Sequence, residues 1–340
     1  MQNRNRSQGF SVVELLVAMG ISLVLLAGVV TLFANSRRSY ESNDHLAKIQ
    51  ENGRFALDTI MRDLRTAGYA GCAKGVPFNN TLNSNTTLPW NFSQSVAGFQ
   101  STGAAWTPTI DALVQSPAAV NSDVLVVRSP DPDAATQYLA SDLAGGTDDV
   151  TITPPVSYAA GDVLLISDCN AASVFEISAY SNATGTISHA AGAGVANKSP
   201  GNATADLGYA YLAGAAIIPM RTTIYYVRQS SDPTHGNSLW RRVGIGTPEE
   251  LVEGVDSLQV LYGRDTNGDR VVDDYVTANS VTNWDTVVSV RVGLLVRSVD
   301  QYANNPDVNH TVLDQAIGAA TDQRERLVFT STATLRNKAL

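Results

Sequence analysis

The stretch from Phe10 to Ala34 admits few folds. It is a largely apolar run whose only formal charge is Glu14, and it follows a short leader that carries Arg4 and Arg6. As an α-helix rising about 1.5 Å per residue it crosses the roughly 30 Å hydrocarbon core of a bilayer with some tilt to spare. It is longer than the apolar core of a cleaved secretory signal, and a carboxylate stands near its start. A plain anchor fits the length but leaves Glu14 unexplained, because an acid inside a bilayer costs about 2.5 to 3.5 kcal/mol on insertion scales. A partner would offset that cost. A cut between Gly9 and Phe10 would create a terminal amine close to Glu14, and in a helical assembly the amine of one subunit could pair with the carboxylate of the next.

The residues G-F-S-V-V-E, Gly9 to Glu14, place the acid five positions into such a cleaved product. Together with the basic leader and the apolar run, they resemble the class III signal of type IV pilins and of the pseudopilins of type II secretion. The resemblance implies removal of the leader by a prepilin peptidase at Gly9, methylation of the new Phe10 amine, and subunit assembly through Glu14.

Beyond the anchor the chain is globular in composition, with 44% hydrophobic and 16% charged residues over 340 positions. That is enough for a sizeable core without metal or disulfide staples. A net charge of -9, a pI near 4.9 and the lack of a basic patch argue against nucleic acid as a partner. Arg4 and Arg6 hold the leader in the cytoplasm by the positive-inside rule, which puts the body outside the bacterial inner membrane. In that compartment the two cysteines, Cys72 and Cys169, read as a disulfide; in a cytosolic body they would be buried thiols.

No proline follows Phe10 until Pro77, and Leu46, Ile49, Leu57, Ile60, Met61 and Leu64 keep helical spacing. Asp58 and Arg62 stand at i, i+4 on the polar side. Gly68 and Gly71 offer the left-handed geometry that closes helices. The pattern predicts one helix of about 58 residues, roughly 87 Å long. Its first half is the anchor and its second half is the spine of a folded body. The phrase R-x-L-R-x-A-G-Y-x-G-C, carried by Arg62, Leu64, Arg65, Ala67, Gly68, Tyr69, Gly71 and Cys72, resembles the end of the spine in PilW-type minor pilins.

Residues 76–122 are rich in Asn, Ser and Thr and read as loops, with Trp90, Phe92, Phe99 and Trp106 tucked onto the body; an exposed binding loop is the alternative. From Asp123 onward short runs rich in Val, Ile and Tyr, separated by Gly, Pro, Asn and Asp, predict β-strands. LVFTSTATLRN, Leu327 to Asn337, resembles the C-terminal strand of PilW-like proteins. The expected fold class is α+β and pilin-like: a long N-terminal helix packed on antiparallel β-sheet. The expected segments are a leader (1–9), the membrane and assembly half of the helix (10–36), its amphipathic half (37–72) and a β-rich periplasmic or extracellular body (73–340).

One loop carries a metal-like pattern. In DTNGDRVVDD, Asp265, Asn267 and Asp269 take the first, third and fifth places of an EF-hand-like calcium loop, the Val271 carbonyl the seventh and Asp273 the ninth. Arg270 stands where that loop has Gly, and Val276 where it has a bidentate Glu. Gly268 and Asp274 could substitute. The alternative is an Asx-rich turn whose side chains bond nearby amides. The common hydrolase, zinc-protease and nucleotide-binding motifs are lacking, and His45, His189, His235 and His310 are scattered, so no enzyme is expected.

The resemblance implies a structural minor pilin that helps prime type IV pilus assembly and sits at or near the tip. Its partners would be other minor and major pilins, the prepilin peptidase and a pilus-tip adhesin. It would reside in the inner membrane before assembly and in the extracellular pilus afterwards. A minor pseudopilin of type II secretion and a tip adhesin binding a surface ligand are the alternatives.

Overall fold

The spine is one helix, α1 (Val12–Thr66), in a computed structural model that describes residues 11–73, 75–114, 119, 121–154, 156–196, 198–301 and 306–339. The chain divides into two compact units, Met1–Lys48 and Ile49–Leu340, and α1 contributes to both. In the first unit its apolar side chains are uncovered; Leu32 and Phe33 are each 72% exposed. It is the candidate membrane span among the described residues. Past the apolar run the helix is carried by exposed i, i+4 pairs, Arg37 with Glu41 at 2.9 Å and Asp44 with Lys48 at 2.8 Å.

In the second unit α1 buries a stripe at three- and four-residue spacing: Ile49, Gly53, Ala56, Leu57, Ile60 and Leu64. The strands follow in chain order. The first six are β1 (Phe78–Asn80), β2 (Val96–Ser101), β3 (Trp106–Thr107), β4 (Val124–Pro130), β5 (Gln137–Tyr138) and β6 (Val150–Thr151). Next come β7 (Val163–Ser167), β8 (Ala172–Glu176), β9 (Ala179–Ser181), β10 (Thr186–Ser188), β11 (Ala216–Gln229), β12 (Asn237–Val243) and β13 (Glu249–Glu253). The chain ends with β14 (Val255–Arg264), β15 (Asp274–Val276), β16 (Val287–Arg297), β17 (His310–Val312), β18 (Gln315–Ile317) and β19 (Arg326–Thr334).

A ten-stranded sheet runs β1, β8, β7, β11, β4, β2, β3, with β5 and β12 also on β11 and β13 on β12. A four-stranded sheet runs β15, β14, β16, β19, and two small sheets join β6 with β10 and β9, and β17 with β18. Among the named strands pairing is antiparallel except between β1 and β8. The fold class is α+β.

Strand β11 organises the body because both its faces are covered, so its run of apolar residues need not alternate with polar ones. Tyr225 and Val227 join the helix stripe in the main core, together with Leu125 and Val127 of β4 and Leu258 and Val290 of the four-stranded sheet. Ile224 and Tyr226, one step over, face a second cluster around Trp240. Earlier in the strand Ile217 and Ile218 enter two further clusters.

The Asn/Ser/Thr-rich stretch departs from its expected loop character. Val96 to Phe99 are buried and paired to β4, so tertiary pairing overrides local composition there. Trp90, Phe92 and Phe99 are buried as expected, and the Trp106 indole N–H donates to the Ser122 carbonyl at 2.9 Å.

Candidate functional site

Gly9 and Phe10 lie outside the described residues. Glu14 stands in the first turn of α1, where the Ser11 backbone N–H donates to its carboxylate at 2.9 Å. The Glu14 N–H returns a hydrogen bond to the Ser11 hydroxyl at 3.1 Å. Ser11-x-x-Glu14 is a capping box: two amide donors that the helix start leaves unpaired are satisfied reciprocally. Within one chain the acid therefore seals the start of its own helix.

At the other end of α1, the phrase that ends in Cys72 forms a junction. Gly68 turns at φ +66°, and its N–H donates to the Arg128 carbonyl of β4 at 2.9 Å. A Cβ at Gly68 would lie 2.7 Å from the Cβ of Ser95, so both the turn and the close approach require glycine. The Ala67 carbonyl accepts from the Asn337 side chain at 3.0 Å, and the Ala70 carbonyl accepts from the Ser167 hydroxyl at 2.6 Å. Cys72 and Cys169 are joined in a disulfide with their Cα atoms 4.9 Å apart. Helix end, β4, the β7 to β8 turn and the chain's C-terminal segment are thus fastened at one place.

Two buried charges brace this junction, and both escape a sequence reading. Asp63, 5% exposed on the inner face of α1, accepts from the Tyr225 hydroxyl at 2.7 Å and from Arg221 at 3.4 Å. Burial pushes the Tyr225 phenol far above its ordinary range, and the neighbouring Asp63 charge pushes it further. Arg128, 2% exposed, donates to the carbonyls of Leu88 and Gln94 at 2.8 and 3.0 Å, and burial pulls its pKa down to about 9. The available signal is a charge set inside an apolar stripe, Asp63 between Ile60 and Leu64 and Arg128 after Val124 to Val127.

The acidic loop between β14 and β15 does bring Asp265, Asn267, Asp269 and Asp273 together. Their oxygens are turned to the loop's own donors. Asp265 accepts from the N–H groups of Asn267, Gly268 and Arg270 at 3.2, 2.6 and 2.8 Å. Asn267 caps the Asp269 N–H and Asp269 the Val271 N–H, each at 2.8 Å, while the Val271 side chain is exposed. Asp273 accepts from the hydroxyl and N–H of Thr266, which hold its carboxyl below the usual range. Asp274 is paired with Arg264 at 2.6 Å. Arg270 itself turns at φ +66°, the conformation that glycine supplies in an EF-hand. Among the described residues no group of three or more His, Cys, Asp or Glu is placed to hold a metal ion. The Asx-capped turn accounts for the pattern, and calcium finds no support in it.

Comparison with known families adds two matches. Residues 224–337, from within β11 through β19 to Asn337, match PilW, the type IV pilus-assembly protein W. Residues 4–30 match the prokaryotic N-terminal methylation motif. No curated protein matches the chain. Among solved structures, a type IV-like pilin, TTHA1219 from Thermus thermophilus, is similar at 11% identity and a TM-score of 0.31, over 87% of this chain and 98% of that one. The matched family is one of pilus assembly rather than a known enzyme family. The two matches thus stand at opposite ends of the chain, an N-terminal methylation motif that runs into the apolar helix and a PilW match over the chain's C-terminal third, within the β body.

Proposed function

We propose that this chain is a minor subunit of a type IV pilus that helps prime assembly from the inner membrane and then sits at or near the fibre tip. Cleavage after Gly9 releases the subunit from its leader, and the new Phe10 amine is then methylated. Residues 10–36 hold it in the bilayer and then pack in the fibre core. Residues 37–72 carry the spine, and 73–340 form the body on the outer side of the membrane, facing other pilins and a tip adhesin. The observation that carries this reading is the uncovered apolar helix of the first unit, which opens on Ser11 and Glu14 and continues into the packed spine. A helix with no apolar partner of its own needs lipid first and other helices afterwards.

The test separates the two jobs of Glu14. Glu14→Gln keeps an acceptor for the Ser11 N–H but removes the charge, whereas Glu14→Ala removes both. If the acid pairs with the Phe10 amine of the next subunit, both variants are processed normally and both fail to enter pili. Normal incorporation of Glu14→Gln would refute the pairing. Deletion of the chain should abolish or sharply reduce piliation; normal pili with lost attachment would point instead to a tip adhesin.

A further inference from the structure

Strand β19 pairs with β16 along its whole length, Arg326 to Thr334 against Arg297 to Ser289. Among the described residues no strand pairs with its other edge. From Leu327 to Leu335 this edge carries no charge, no proline and no glycine. Folded proteins guard exposed edges with charges, prolines, bulges or short length, because a free row of N–H and C=O groups accepts any passing strand. This chain follows that practice elsewhere. Edge strand β13 carries Glu249, Glu250 and Glu253, β15 spans three residues and carries Asp274, and β1 and β3 span three and two residues. The longest edge, β19, carries one charge, Arg326 at its start, and that guanidinium is buried in ion pairs with Asp256 and Asp322, which leaves the rest of the edge unguarded.

We infer that the outer edge of β19 is a docking site for an extended, uncharged strand from a different subunit of the same assembly. This rests on the pilus reading above. The face pattern defines the partner's chemistry. Leu327 and Phe329 are half-buried at the rim of the main core and Ala333 is buried within it, whereas Val328, Thr330, Thr332 and Thr334 are exposed. A strand with apolar residues at alternate positions would complete the cover over Leu327 and Phe329 while its main chain satisfies the edge. A second copy of β19 does not suit. That contact would be two-fold and closed, whereas a helical fibre grows through head-to-tail contacts between unlike surfaces. Among the described residues the other free edges are short or acidic, so we take the mate from a different protein of the assembly.

Backbone hydrogen exchange reads the pairing directly. The full-length chain in detergent is compared with its complex purified from cells that express the pilus machinery. Alone, every second amide from Leu327 to Thr334, those directed away from β16, should exchange rapidly. In the complex the same amides should slow by at least about tenfold. Rapid exchange in a complex that contains other pilins would overturn the docking site and leave the pilus reading standing. A complex without any pilin would overturn both. Protection in the isolated chain together with a dimeric mass would assign the edge to self-association and overturn the inference. As an independent check, Thr330→Lys with Thr332→Lys places guard charges on exposed positions. The double variant should keep its melting temperature and lose the complex; undiminished complex formation would count against the docking site.

Discussion

The Tyr225 hydroxyl, in the longest strand of the body, donates to the Asp63 carboxylate of α1 at 2.7 Å, across 162 residues of sequence. Arg221, four residues earlier on β11, reaches Asp63 at 3.4 Å and Asp131 at 3.2 Å. Helix α1 is thus coupled to the centre of the sheet by a buried network of Asp63, Tyr225 and Arg221. Removing Asp63 takes the acceptor from the buried Tyr225 hydroxyl and leaves Arg221 only the more exposed Asp131 and Asp133. Asp63→Ala should cost about 3 kcal/mol. Tyr225→Phe should cost about 1 to 2 kcal/mol, because Asp63 keeps Arg221. Chemical denaturation of the detergent-solubilised chain measures both.

The disulfide closes a loop with a sequence separation of 97, from the end of α1 to the turn after β7. Replacing Cys72 and Cys169 together by serine should cost about 4 kcal/mol, chiefly through the freedom returned to the unfolded chain. Denaturation midpoints with and without reductant check this. Reductant should lower the wild-type midpoint toward that of the double variant and leave the variant unchanged.

Helix α1 and the strands from Asp123 onward were legible because their signals are local: apolar spacing, β-branched runs, and glycines where the backbone must turn left-handed. The N-terminal methylation motif and the junction phrase closing on Cys72 were legible as residue patterns. The bracing of that junction was not, since Asp63, Arg221, Tyr225 and Arg128 find partners that no sequence spacing reveals. Ser11 and Glu14 do stand at capping-box spacing, but the demand of the apolar run for a remote partner obscures the nearer one. Strand β2 was hidden for another reason: its flanks are polar, and its apolar residues are held by β4 rather than by their own propensity.

The acidic loop gives a prediction about metal. With Asp265 holding three backbone N–H groups, Asp265→Ala should destabilise the body by about 1 to 3 kcal/mol. The melting temperature of the wild-type chain should be the same in chelator and in millimolar calcium. A calcium-dependent rise that Asp265→Ala abolishes would assign the loop to the ion instead.

Asp123, immediately before β4, supplies a pH dependence. Its two oxygens accept from the N–H groups of Ser101 at 2.8 Å and Val260 at 3.0 Å, tying β2 to β14. Burial nonetheless dominates and lifts its pKa to about 6, with those two hydrogen bonds opposing the rise. A carboxyl raised in the folded state binds its proton more tightly there than in the unfolded chain. Its effect is therefore neutral below about pH 4, where both states are protonated. It becomes destabilising as pH rises from about 4 to 6 and reaches about 3 kcal/mol above that. Carboxyl carbon chemical shifts followed by NMR should place the Asp123 midpoint near 6, against a value near 4 in the denatured chain. A native midpoint below 4 would mean that the Ser101 and Val260 amides outweigh burial, and the sign of this group's contribution to stability would reverse.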